Sequence, residues 1–206
     1  MLFNILTLVS LLSVLLLLRR LVEVVPSLLA CLTRGKESIN LEASVQLSRY
    51  RDILATVMFI PFCLTVWKFN IYTPRFMDGC NENLRFCIIA GTLLAFILVR
   101  RLMEWICRPH KRDIKTYRTA CKAARTFFCL LTLILLATGW IMSFVNTPAD
   151  IIQNAMLWIS ASIYLIFILR KTQILASSAS FFTAFLYLCA LEIIPTGAII
   201  ASAIIF

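Results

Sequence analysis

Between Arg125 and Arg170 the chain carries one charged residue, Asp150, and beyond Lys171 it carries one more, Glu192. Apolar runs of about 18 residues or more mark transmembrane helices, because a helix rising about 1.5 Å per residue needs about 20 residues to cross roughly 30 Å of hydrocarbon. In hydrocarbon every backbone N–H and C=O must be satisfied within the protein, which leaves helices or closed barrels. The apolar runs here are continuous, so helices are the prediction. Hydrophobic residues make up 61% of the chain and charged residues 15%, against about 45 to 50% and about 25% in soluble domains. That mixture is too apolar for a water-soluble domain.

The sequence predicts an all-α integral membrane bundle of about six transmembrane helices, with short amphipathic interfacial helices, as a single transmembrane domain over residues 1–206. The expected spans are about 1–18, 53–72, 84–99, 126–145, 151–169 and 178–204. The first run has no positive residue before it and Arg19–Arg20 after it. A cleavable signal peptide has the reverse order, so a retained span is expected. Pro61 removes a backbone donor and should bend the second span. In the polar section 19–52 Pro26 interrupts a short apolar stretch, and Asn40 is placed to cap a short helix with Glu42 in its first turn. "NTPAD", around Pro148, reads as a tight turn.

Net charge is +10, and 17 of the 20 lysines and arginines fall in 19–52, 100–125 and 170–171. Basic residues flanking spans follow the orientation bias of membrane loops, which puts 19–52 and 100–125 in the cytoplasm and both termini outside it. Trp67 and Trp140 then approach the outer interface and Trp105 the inner one. From Pro109, Lys111, Lys115, Arg118, Lys122 and Arg125 form one helical stripe, with Ile114, Tyr117, Cys121, Ala124 and Phe128 about a quarter-turn away. Such a helix lies on a membrane surface and runs into the next span. Its basic stripe is suited to anionic lipid or to an acidic partner, Arg49 and Arg51 joining it; nucleic acid is not expected.

Glu192 is the acid placed near the bilayer midplane. A charge there costs about 2.5 to 3.5 kcal/mol on insertion scales, so it must be neutral, paired, or facing water. By position along the spans no lysine or arginine reaches its depth, and the expected partners are the hydroxyls of Ser160, Ser162, Thr92 and Thr138. Cys189 and Thr196 lie on the same helical face, and Pro195 leaves a carbonyl without its usual donor, so these four residues form a candidate polar site. Small residues four apart, Gly91 with Ala95 and Gly197 with Ala201, suggest helix contact faces.

Catalytic patterns are missing. His110 is the single histidine, and five glycines and eight cysteines make no phosphate loop, dinucleotide fingerprint or CxxC pair. No cofactor or metal is implied, and no serine has a histidine base at membrane depth. At most Cys80 and Cys87 are placed for a loop disulfide.

"LYLCALEIIP", with its Leu-Cys-x-Leu-Glu-Ile-Ile-Pro run from Leu188 to Pro195, resembles the ending of a bacterial family of multi-spanning inner-membrane proteins known as a domain of unknown function. The resemblance covers nearly the whole chain. It implies an inner-membrane location and a family role for Glu192 and Pro195, and it implies no activity. The reading from the sequence is a non-enzymatic accessory or interaction component. The alternatives are a small proton-coupled transporter or channel using Glu192, and a lipid-modifying membrane enzyme.

Overall fold

The computed structural model describes residues 2–33, 44–74, 77, 79–106, 114–176 and 181–205. Among them the regular structure is helical: α1 Leu2–Leu16, α2 Leu18–Thr33, α3 Val45–Val57, α4 Phe59–Lys68, α5 Glu82–Ile106, α6 Ile114–Phe144, α7 Ala149–Ala176, α8 Phe181–Leu188, a π turn Cys189–Ile193 and α9 Ile194–Ile205. Five of the described helical stretches are long and apolar enough to cross a membrane: Val45–Lys68, Glu82–Ile106, Thr119–Phe144, Ala149–Ala176 and Ala184–Ala203. A sixth is reached if α1 and α2, bent by 72° at Leu17, count as one broken span.

α1 alone is about 22 Å long, short of the roughly 30 Å core. The bend at Leu17 contains neither proline nor glycine. Its backbone ladder persists, Leu17 donating to the Ser13 carbonyl at 3.2 Å and Leu21 to that of Leu17 at 2.8 Å. The Ser13 hydroxyl donates to the Val9 carbonyl at 2.7 Å, a back-bond of the kind that bends helices. Beyond it α2 is amphipathic: Val24, Leu28 and Cys31 are buried against Leu54, Met58, Cys129 and Leu130, while Arg19, Arg20 and Glu23 are exposed. The helix continues through Pro26.

The second long stretch starts at Val45 rather than Ile53. Ser44 caps it, its hydroxyl accepting from the Leu47 N–H at 3.5 Å; Asn40 and Glu42 lie outside the described residues. Its break falls at Met58. Pro61 supplies the reason, because it has no N–H for the Val57 carbonyl one turn earlier.

α5 does not stop at Arg100 and α7 does not stop at Arg170: each continues past its basic pair, to Ile106 and to Ala176. α6 is one unbroken helix from its basic beginning into its apolar end. It packs along α7, joined at the "NTPAD" turn where Asn146 takes a positive φ of 56°, and its other side meets α2, α3 and α4. Phe127 with Ile163 and Phe167, and Leu135 with Ile152 and Met156, fill the α6–α7 seam. The small-residue pairs do not mark contacts within this chain, since Gly91, Ala95, Gly197 and Ala201 are all exposed. The close approach is at Gly139, where an added Cβ would stand 2.7 Å from Phe69 Cε2 and 2.8 Å from Met156 Cε.

Candidate functional site

Pro195 shapes the backbone around Glu192. A proline cannot donate to the carbonyl four residues back, and its ring crowds that carbonyl. The turn before it is widened: the Ile194 N–H reaches back five residues to the Cys189 carbonyl, which defines a π turn, a form that recurs at functional positions. The widened turn buries Leu191 and Glu192 side by side, and the Glu192 carbonyl accepts from the Tyr164 hydroxyl of α7 at 3.2 Å.

The Glu192 side chain is 1% exposed and is held by two cations, Lys171 of α7 and Arg100 of α5, both bonded to Oε1. Lys171 is wholly buried, and the Arg100 side chain is 17% exposed. Phe167, one turn before Lys171, offers its ring to both: Arg100 Cζ lies 5.5 Å and Lys171 Nζ 5.7 Å from its centroid. Such cation–π contacts strengthen when desolvated. Glu104 stands 3.6 Å from Arg100 Nε, and its backbone carbonyl accepts from the Tyr117 hydroxyl of α6 at 2.9 Å. Two cations and two carboxylates from α5, α7 and the π turn thus balance in charge, tied to α6 by a neutral bond.

This corrects the expected environment of Glu192. Its carboxylate bonds to cations, not to the hydroxyls of Ser160, Ser162, Thr92 or Thr138. Ser162 and Thr92 instead donate to carbonyls of their own helices, those of Trp158 and Ile88. Cys189 and Thr196 are half-buried and Pro195 is buried. The cations were missed because a basic pair was read as the end of a span. Arg100 and Lys171 lie within their helices, and the lysine begins only about 8 Å from the end of α7, but a long side chain carries its charge well away from its own Cα. In the first pair Arg101 is exposed where Arg100 is half-buried, and in the second Lys171 is buried where Arg170 is half-buried. The signal that would have found them is the helical spacing of Phe167 with Lys171 and of Arg100 with Glu104.

A second carboxylate joins two cations elsewhere. Arg51, 1% exposed, donates from Nε at 3.0 Å and from Nη2 at 2.7 Å to Asp52 Oδ1, and from Nη2 to the Ser48 hydroxyl at 3.2 Å. Arg125 of α6 donates to Asp52 Oδ2 at 2.7 Å. Of the basic stripe, Arg125 therefore serves a helix contact. Lys122 is half-buried, Lys111 lies outside the described residues, and the side chains of Lys115 and Arg118 do as well. Cys80 and Cys87 form no disulfide, and the described residues contain no cluster of three or more histidine, cysteine or carboxylate side chains placed to hold a metal.

Residues 1–202 match the family described as a domain of unknown function, DUF4271. The chain belongs to that family. No curated protein and no solved structure matches it.

Proposed function

We propose that the chain is a multi-pass protein of a bacterial inner membrane that acts without catalysis, as an accessory or interaction component, with its basic loops in the cytoplasm. One observation carries the non-catalytic, non-transporting part. The one acid of the last span, Glu192, is buried between Arg100 and Lys171, so it is held in an ion pair rather than standing free in a cavity. The membrane part is supported by the exposure of large apolar side chains along the long helices, among them Leu94, Leu98, Leu102, Trp140, Ile141, Phe144, Trp158 and Leu165, a surface that lipid satisfies and water does not. The enzyme alternative draws no support from the second cluster, since both Asp52 oxygens are engaged by guanidinium groups.

One observation favours the transporter alternative: the π turn places the Glu192 carbonyl beside the Tyr164 hydroxyl, next to a charge cluster that joins three helical segments. Proton flux into proteoliposomes under an imposed pH gradient separates the two readings. The accessory reading expects leakage no greater than in protein-free vesicles. Flux that disappears in a folded Tyr164→Phe protein would replace it with the transporter.

A further inference from the structure

The stripe Arg49, Asp52, Ile53, Thr56 and Val57 lines a shallow, open depression on the outer face of α3, a surface against which an elongated ligand could lie rather than a cavity that would enclose one. Its chemistry changes along the helix. The charged end is Arg49 and Asp52; one turn further Ile53 and Val57 make it apolar, and the Thr56 hydroxyl is turned back onto the Asp52 carbonyl at 3.0 Å.

The surroundings are cationic despite Asp52. Both of its oxygens are taken, Oδ1 by Arg51 and Oδ2 by Nη1 of Arg125, which leaves more positive than negative charge at this end. The Arg125 side chain is 42% exposed, and its other N–H groups have no partner among the described residues. Arg49 is exposed. Arg20 of α2 adds another cation nearby, its Cζ 5.3 Å from the centroid of the Tyr50 ring. Amphipathic α2, packed against α3 and α6 with its charged side outward, marks this level as the boundary between headgroups and acyl chains.

We infer that one anionic phospholipid binds along α3, its phosphate against Arg49 and the free edge of Arg125 and an acyl chain over Ile53 and Val57. An acidic protein partner would match the charged end only. The apolar end, leading into the transmembrane part of the same helix, matches a chain of hydrocarbon. Arginine suits the phosphate because its planar fork offers paired donors.

The inference rests on the membrane reading, which alkaline carbonate extraction of native membranes tests separately; a protein that stays in the pellet but shows no lipid preference refutes the site alone. The full chain is purified in a neutral maltoside detergent and titrated with phosphatidylglycerol or phosphatidylcholine of identical acyl chains, followed by native mass spectrometry and by melting temperature. Phosphatidylglycerol is expected to remain bound and to raise the melting temperature, and phosphatidylcholine to do neither. Arg49→Ala should weaken phosphatidylglycerol about fivefold, the factor carried by one arginine near a headgroup, without lowering the melting temperature of the lipid-free protein. Arg101→Ala, an exposed arginine of α5, should leave binding unchanged. Equal binding of the two lipids, an unaltered affinity in Arg49→Ala, the same stabilisation by inorganic phosphate alone, or full displacement by a polyglutamate peptide would each overturn the inference.

Discussion

Glu192 shows how the same residue reverses its predicted behaviour once its partners are known. A neutral acid hydrogen-bonded to a hydroxyl would tolerate glutamine. A carboxylate between Arg100 and Lys171 would not, because Glu192→Gln leaves the wholly buried lysine without its counter-charge and Arg100 with Glu104 alone. Removing one partner of a buried ion pair costs about 3 to 5 kcal/mol, whereas replacing the whole group by apolar residues of similar size is often neutral or better. Glu192→Gln is therefore expected to lower the melting temperature in detergent sharply, while the triple change Arg100→Leu, Lys171→Met and Glu192→Leu restores much of the loss. Intrinsic tryptophan fluorescence during heating reads both. A glutamine variant as stable as the parent would mean that the cations find water instead of the carboxylate.

At the scale of helices, contact depends on where small residues fall relative to a neighbour rather than on their spacing alone. Gly91 and Gly139 are both helical glycines, and the sequence singled out Gly91 because Ala95 follows four residues later. The structure leaves Gly91 with nothing within 4 Å of an added Cβ and presses Gly139 against Phe69 and Met156. Gly139→Ala must displace that ring and that methionine, and overpacking of this kind costs about 1 to 3 kcal/mol. Gly91→Ala gains up to about 1 kcal/mol of helix propensity with no clash. The two variants should move the melting temperature in opposite directions, and a loss at Gly91 of the kind seen at Gly139 would reveal a neighbour on that exposed face. Helix class and the approximate positions of the long helices were legible because period and hydrophobicity are local properties of the chain. Helix ends were not, since Arg100–Arg101 and Arg170–Lys171 look like stops when half of each pair is satisfied by a residue of a distant segment. The π turn was visible only as its cause, Pro195; its consequence, the burial of Leu191 beside Glu192, depends on packing against α5 and α7.

Among the described residues the ionic bonds between helices gather toward one end, and the bonds named at the other end are neutral. Asp52 ties α3 to α6, and Glu192 ties α5 to α7, close to the helix ends that lead into the basic segments. At the far end Tyr72 and Ser202 share a 2.8 Å hydroxyl bond, and the Gln153 amide donates to the Asn70 carbonyl at 2.7 Å. On the proposed topology this polarity is what positive loops would impose: the surplus lysines and arginines would stay in the cytoplasm, with the carboxylates beside them holding the helices together. It makes a topological prediction independent of any activity. With the native cysteines replaced, single cysteines at Arg101 and Arg170 should react with a membrane-impermeant maleimide only when the cytoplasmic face is opened. Cysteines at Asn70 and Asn146, at the neutral end, should react in intact cells once the outer barrier is permeabilised. Reaction of Arg101→Cys and Arg170→Cys from opposite faces would break the antiparallel arrangement of α5, α6 and α7, and with it the geometry that lets Arg100 and Lys171 meet on Glu192.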